Sequence, residues 1–125
     1  MIACLRPLSI LCLAGLLAAC ALQAQANTEL TVYTALEVEQ LKPYQEAFEK
    51  QNPDISIKWV RDSTGIVTAK LLAEKDRPQA DVVWGLAGSS LAILKQQDML
   101  VPYAPANLDK IGANYRDAAN PPAWV

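Results

Sequence analysis

Three short segments of the chain have the apolar patterns of β-strands. They are ELTVYT (residues 29–34), ISIKWV (55–60) and ADVVWG (80–85). In the first segment Leu30 and Val32 fall on one face, because successive side chains of a strand point to opposite faces. The third segment is apolar through its centre and ends in glycine, which is typical of a buried parallel strand. The pattern therefore predicts three strands.

Helical periodicity begins after the first predicted strand. In EVEQLKPYQEAFEKQ (residues 37–51) three apolar side chains recur at helical spacing, and they are Leu41, Tyr44 and Phe48. Pro43 lies within this pattern, and a proline in a helix interior loses a hydrogen bond and clashes with the preceding turn. We therefore expect a loose turn first, a regular helix from near Lys42, and an end at Asn52-Pro53.

Two further helices are predicted by GIVTAKLLAEK (residues 65–75) and SSLAILKQQ (89–97), with Ser89 or Ser90 as the cap of the latter. The order of three strand–helix pairs indicates an α/β fold, in which right-handed crossovers build a parallel sheet with flanking helices. From Val101 onward, prolines and asparagines predict a surface meander or the start of something longer.

The first part of the chain, residues 1–26, has the pattern of an export signal. One charge, Arg6, precedes an apolar run (residues 8–19) that is shorter than the about 20 residues that span a bilayer. A small-x-small pattern predicts cleavage after Ala26. The alternative is a lipoprotein anchored through Cys20, because LAAC resembles a lipobox; mass spectrometry of the mature N-terminus would decide. Either route predicts a periplasmic protein.

Composition removes several kinds of chemistry from the predicted mature chain, residues 27–125. All three cysteines lie in the predicted signal and the sequence has no histidine, so we expect neither a disulfide, a thiol nucleophile nor a thiolate or imidazole metal site. The mature chain carries 10 Lys and Arg (11 less Arg6) and 13 Asp and Glu, a net charge of −3. This balance disfavours nucleic acid as a partner. No cofactor is indicated, and 125 − 26 = 99 residues make one domain at most.

Three loops follow the predicted strands, at the edge where an open parallel sheet binds ligands. They are TALE (residues 34–37), RDSTG (61–65) and WGLAGSS (84–90). Each contains hydroxyls or glycines and leads into the start of a helix. Free N–H groups at helix starts attract anions, and glycine permits close approach of the backbone. Together the loops predict a site that holds a phosphate-like group without any lysine.

Ordinary capping is the alternative interpretation of these loops, since Ser, Thr and Asp precede helices in any protein. Trp84 likewise either packs in the core or forms the wall of a pocket. Glu37 and Asp62 are interpreted as solvated surface charges. If the ligand carries an ammonium group, either carboxylate would face it. The sequence has no G-x-S-x-G, P-loop or G-x-G-x-x-G motif, so we do not expect an enzyme. Three such loops in an exported chain favour a binding site.

These motifs resemble the periplasmic solute-binding proteins of bacterial ABC importers. The resemblance runs from LTVYTALEVEQLKPYQEAFEKQ through ADVVWGLAGSS to DMLVPY and covers essentially all of residues 27–125. YTALE, RDSTG and WGLAGSS are most similar to the branch for 2-aminoethylphosphonate uptake, while ADVV is shared with iron(III)-type binders. The resemblance implies a partial N-terminal lobe of a type II binding fold, which holds its ligand between two lobes and delivers it to an ABC permease in the inner membrane.

Carried onto this sequence, the resemblance implies ligand-binding residues on all three loops. They are Thr34, Ala35, Glu37, Ser63, Thr64, Gly65, Trp84 and Gly85. The phosphonate is expected at the helix start formed by residues 63–65, and Glu37 would meet the amine. Because closure of two lobes gives such proteins their affinity, we expect weak or no measurable binding by this partial lobe alone.

Other ligands remain open. Iron(III) is the first alternative, and thiamine or another small organic anion is the second. The tyrosines show no clustering that would indicate a metal site, and their simplest interpretation is packing; they are Tyr33, Tyr44, Tyr103 and Tyr115.

Overall fold

Three parallel strands alternate with three α-helices in the computed structural model, which describes residues 27–125. The strands are β1 (Thr28–Thr34), β2 (Ile55–Arg61) and β3 (Val82–Trp84), and the helices are α1 (Val38–Gln51), α2 (Thr64–Ala73) and α3 (Gly88–Gln96). Two short 3₁₀ turns, Leu108–Lys110 and Ala113–Tyr115, follow α3. The predicted α/β fold with a parallel sheet is confirmed. The predicted export signal lies outside the described residues.

β1 is the central strand of the sheet, whose order is β2-β1-β3. Thr34 pairs with Arg61 on one side and with Trp84 on the other, so the three strands end level. β3 joins β1 through Asp81, whose carboxylate accepts a hydrogen bond from the Thr31 N–H at 2.8 Å. β3 is shorter than the predicted 80–85, and Gly85 ends it with a positive φ of 71°.

Helices cover both faces of the sheet. α2 and α3 pack on the face that carries Tyr33, and the buried side chains of this core are Tyr33, Val67, Leu71, Leu86 and Leu94. On the opposite face, Tyr44 of α1 meets Trp84 edge-on with ring centroids 4.9 Å apart. The predicted alternation of β1 and β2 is confirmed there, because Leu30, Val32, Ile57 and Trp59 line one apolar groove of about 260 Å³ beside α1.

The predicted start of the first helix near Lys42 is wrong, because α1 begins at Val38 and contains Pro43. The missing N–H of Pro43 leaves the carbonyl of Glu39 without its helical donor. Glu39 is exposed, so its carbonyl lies where solvent can hydrogen-bond to it. The first turn is held by burial of Leu41, which is 5% exposed, and by Gln40, whose Oε1 accepts from the N–H of Glu37 at 3.1 Å.

The predicted cap of the third helix is also wrong. α3 begins at Gly88 after the cap residue Ala87, so neither Ser89 nor Ser90 is the cap. The N–H of Ser90 donates to the carbonyl of Ala87 at 2.9 Å, and Ser90 itself is buried within the first turn. Sequence preference identified residues suited to a cap, but the glycine turn at Gly85 sets where the helix begins.

The segment after α3 folds back onto that helix. The carboxylate of Asp117, buried at 8% side-chain exposure, accepts hydrogen bonds from Lys95 Nζ at 2.6 and 2.8 Å and from the N–H of Ala123 at 2.9 Å. The N–H of Asp117 donates to the carbonyl of Trp124 at 3.0 Å. Asp117 therefore fastens residues 117–124 to α3.

Asp117→Asn should lower the free energy of unfolding at neutral pH. It should also make that free energy fall less steeply as the pH is lowered. Lys95 first, and then the Ala123 N–H, hold the pKa of the Asp117 carboxyl below its ordinary value of 3.8. A carboxyl whose pKa is lowered by folding stabilises the folded state above its ordinary pKa, and this contribution is lost as pH falls through the folded pKa. Urea unfolding at pH 7 and near pH 3 would measure both effects.

The exposed Asp109→Asn is the matched control, since it removes the same charge from the neighbouring 3₁₀ turn. It should leave the urea midpoint nearly unchanged. Equal midpoints for the two variants at pH 7 would show that Asp117 does not fasten the segment.

Candidate ligand-binding site

The carboxyl ends of the three strands bring the three predicted loops together. Thr34 has Arg61 and Trp84 as its lateral partners, so the loops that follow leave the sheet at neighbouring points. The N–H of Asp62 donates to the carbonyl of Thr34 at 3.3 Å, which extends the pairing of β1 and β2 by one step beyond Arg61. The predicted convergence of the loops at one edge is thus observed.

The first and second loops are joined by Arg61. Its Nε donates to the carbonyl oxygen of Leu36 at 2.7 Å, and its Nη2 pairs with the carboxylate of Glu37. Arg61 is the last residue of β2 and lies two positions after Trp59, so both side chains point to the face that α1 covers. The sequence prediction did not include Arg61; its alternation with Trp59 was the signal that indicated its direction.

The first and third loops are joined by the approach of Leu36 to Gly85. Gly85 has φ of 71°, a left-handed conformation that side chains other than glycine rarely adopt. A Cβ on Gly85 would lie 2.4 Å from Cγ of Leu36. The third loop therefore needs glycine for two reasons, its backbone angle and the space that Leu36 occupies.

The hydrogen bonds at the start of α2 bear on the choice between capping and anion binding. Ser63 is the cap residue, but its hydroxyl makes no capping hydrogen bond. The first helical bond runs from the N–H of Val67 to the carbonyl of Ser63 at 2.9 Å. Within residues 27–125, the N–H groups of Thr64, Gly65 and Ile66 have no acceptor. Capping by side chains therefore does not explain this sequence.

The approach to these three N–H groups is open. A Cβ added at Gly65 would meet no atom within 4 Å. Asp62 lies beside the opening, with Oδ1 accepting from the N–H of Ser63 at 2.7 Å. The helix start combines unpaired donors with the positive end of the α2 dipole, which is an arrangement that favours anions.

The start of α3 is less open than that of α2. The N–H of Ser90 is already paired with the Ala87 carbonyl. A Cβ on Gly88 would lie 3.9 Å from the ring of Trp124, so the C-terminal segment lies beside this helix start. We call the edge formed by the three loops (residues 34–37, 61–65 and 84–90) the rim. The third loop contributes the backbone of Gly85 to this rim, while the start of α3 offers fewer free N–H groups than the start of α2 does.

Two predicted ligand residues have other contacts in this structure. Thr34 is fully buried, and its Oγ1 accepts from the N–H of Leu36 at 3.1 Å. Trp84 is half-buried and packs against Tyr44 and against Trp59, whose ring centroid is 5.7 Å away. Ala35 is half-buried between the strand and the rim. The remaining predicted residues, Glu37, Ser63, Thr64, Gly65 and Gly85, lie on the surface or close to it.

Two depressions larger than the groove beside α1 lie along β3, and one of them is lined by Trp84 and Gly85 of the third loop. One of about 600 Å³ follows the open edge of β3 past Tyr103 and Trp124, and one of about 560 Å³ lies between Asp81, Met99 and the end of α2. Neither is lined by residues 63–65. An anion at a helix start needs unpaired N–H groups more than enclosed volume, so the free N–H groups at the start of α2 mark the candidate site.

The structure shows an α/β fold with three loops gathered at one edge of its parallel sheet, and comparison with known proteins identifies its class. Residues 34–125 match the profile of the family described as bacterial extracellular solute-binding protein. The chain belongs to this family. Membership implies a periplasmic location, and none of the helices in residues 27–125 is long and apolar enough to cross a membrane.

Three relatives illustrate the similarity. A probable ABC transporter periplasmic-binding protein of Sinorhizobium fredii is 34% identical over 105 residues, which are 84% of this chain and 28% of that protein. AfuA of Actinobacillus pleuropneumoniae, solved with fructose-6-phosphate bound, superimposes with a TM-score of 0.65 at 28% identity, over 74% of this chain and 28% of AfuA. Iron-bound HitA of Pseudomonas aeruginosa gives 0.66 at 20% identity, over 73% and 29%, and shares the fold alone.

The chain thus spans 28% of the length of its Sinorhizobium fredii relative. These comparisons agree with the general resemblance seen in the sequence, a periplasmic binding protein of an ABC importer. They do not distinguish the 2-aminoethylphosphonate branch from other branches.

Proposed function

We propose that this chain forms one wall of the ligand site in the solute-binding component of an ABC importer, and that the solute is a phosphonate such as 2-aminoethylphosphonate. The partner of the whole protein would be the ABC permease of the inner membrane. The observation that supports this proposal best is the set of three unused N–H groups at the start of α2, on the rim where the three loops meet.

The phosphonate oxygens would accept hydrogen bonds from the N–H groups of Thr64, Gly65 and Ile66. The hydroxyls of Ser63 and Thr64 would add further donors from the same turn. Gly65 would let the anion approach closely, since no atom lies within 4 Å of the place where a side chain would begin. Gly85, Ala35, Thr34 and Trp84 would shape the rim around the ligand.

The amine end of the ligand has two acidic neighbours in these loops. The carboxylate of Glu37 already pairs with Arg61, and that of Asp62 already accepts the N–H of Ser63. An ammonium group that contacts Glu37 would therefore share the carboxylate with Arg61. This sharing predicts that the anionic end contributes more to recognition than the amine end does.

A phosphate ester is the second candidate solute, and the fructose-6-phosphate in AfuA favours it. It would present the same dianionic group to α2. Iron(III) is the remaining alternative, and residues 27–125 hold no group of three or more His, Cys, Asp or Glu that would bind a metal. Tyr33 is buried with its hydroxyl on Glu74, and Tyr44 packs on Trp84.

Titration of the ¹⁵N-labelled chain with 2-aminoethylphosphonate should shift the amide resonances of Thr64, Gly65 and Ile66 most. Three charge-assisted hydrogen bonds of about 1.5 kcal/mol each amount to a dissociation constant in the roughly millimolar range. Ethylphosphonate and fructose 6-phosphate should shift the same amides, while ethylamine, which lacks the anion, should not.

Two results would count against the proposal. The first is a set of anion-dependent shifts that is larger elsewhere in the chain than at residues 64–66, because the anion would then bind at another place. The second is a larger response to ferric citrate than to any phosphonate, with citrate alone as the control, which would favour the iron(III) alternative.

A further inference from the structure

Arg61 makes contacts that no role in anion binding requires. One edge of its guanidinium group, Nε and Nη2, donates to the Leu36 carbonyl and to the Glu37 carboxylate. These partners are consecutive in sequence and 24 to 25 residues before Arg61. A planar fork with two fixed donors suits such a pair of acceptors, and a lysine ammonium does not reproduce it.

Thr34, Leu36 and Glu37 of the first loop each take part in a hydrogen bond once Arg61 is counted. The N–H of Leu36 donates to Thr34 Oγ1, and the N–H of Glu37 donates to Gln40 Oε1. Arg61 donates hydrogen bonds to the carbonyl of Leu36 and to the side chain of Glu37. Leu36 in turn packs where a side chain on Gly85 would lie. Arg61 therefore connects the second loop to the first, and through Leu36 to the third.

We propose that Arg61 is a positioning residue, which holds the first loop in place and neutralises Glu37. This inference rests on the proposed function, because the loop it positions is one side of the proposed ligand rim. The Arg61 side chain is 34% exposed and that of Glu37 is 69% exposed, so water screens the ion pair and the bond to the Leu36 carbonyl adds to the hold on the loop. It follows that the charge of Glu37 serves the loop rather than the choice between ligands with and without an ammonium group.

Arg61→Gln tests the positioning role directly. Amide hydrogen exchange at Leu36 and Glu37 should become faster by about two- to fivefold, the effect expected for the loss of a largely exposed ion pair and its hydrogen bond. Lys58→Gln is the matched control: it removes the same charge from the same strand, and Lys58 pairs with the exposed Glu29 of β1. It should leave exchange at Leu36 and Glu37 unchanged. Arg61→Lys should restore part of the protection.

Glu37→Gln tests the second half of the inference and retains the bond from Arg61 to Leu36. The affinities for 2-aminoethylphosphonate and for ethylphosphonate, measured by amide shifts, should change by the same factor. A loss confined to 2-aminoethylphosphonate would assign Glu37 to the amine and overturn the neutralising role. This variant also covers the case in which Arg61→Gln fails to fold.

The outcomes separate this inference from the proposed function. Unchanged exchange at Leu36 and Glu37 in both Arg61→Gln and Glu37→Gln overturns the positioning role, whatever the wild-type chain binds. Faster exchange in a chain whose anion-dependent shifts lie away from residues 64–66 supports the positioning of the loop and overturns the proposed function instead.

Discussion

Gly85→Ala should lower the free energy of unfolding by about 2–4 kcal/mol, because it adds backbone strain and a steric clash at one position. The φ of 71° is unfavourable for alanine, and the new Cβ would lie 2.4 Å from Cγ of Leu36. Leu36 would have to leave its place, and with it the contact between the first and third loops. Urea denaturation followed by circular dichroism would measure the change.

Two companion variants separate strain from clash. Gly85→Ala combined with Leu36→Ala relieves the clash and keeps the strain, so about 1–2 kcal/mol of destabilisation should remain relative to Leu36→Ala alone. Gly65→Ala is the control for a glycine in open space, since a Cβ there meets nothing within 4 Å. It should be neutral or stabilise by up to about 1 kcal/mol. Equal destabilisation by Gly85→Ala and Gly65→Ala would refute the argument.

The sheet was predictable because its signal is repeated and local. Alternating side chains of β1 and β2 identify one buried face each, and a parallel order follows from the helices between the strands. The convergence of the three loops then needed no further information, since strands in a parallel sheet end at one edge. Gly85 indicated the end of β3 although the pairing begins two residues later than predicted.

The errors have a common physical cause, which is that the preference of a single residue was outweighed by the contacts and backbone conformation of its neighbours. Pro43 disfavours a helix in isolation, yet burial of Leu41 and the bond between Glu37 and Gln40 keep α1 continuous through it. A serine near the start of α3 favours a cap, yet the turn at Gly85 places the start at Gly88.

The candidate site was predictable in position and only partly in detail. Residue types identified 63–65 as a helix start, but the sequence cannot show that the hydroxyl of Ser63 makes no capping bond. Arg61 was missed because its partners lie 24 to 25 residues away. The predicted anion site has no lysine, and the structure adds one cation to its surroundings, the Arg61 guanidinium group that pairs with Glu37.

Thr64→Pro should weaken phosphonate binding by about tenfold and leave stability within about 1 kcal/mol, because it deletes one N–H donor at a position where helices accept proline. Thr64 is the first residue of α2, and its N–H has no acceptor among residues 27–125. Ser63 before it has φ of −60° and ψ of 152°, the extended conformation that a following proline requires. The bond from Thr68 Oγ1 to the Thr64 carbonyl, 2.6 Å long, is retained.

Thr64→Ala is the matched control, since it removes the hydroxyl of Thr64 and retains the N–H. Titrations with ethylphosphonate, observed through the amides of Gly65 and Ile66, would compare the two variants with the wild-type chain. If the N–H groups of α2 hold the anion, the proline variant loses about tenfold in affinity and the alanine variant loses less. An equal loss in both would assign the contact to the hydroxyl. Wild-type affinity in a folded proline variant would show that the anion does not bind at the start of α2.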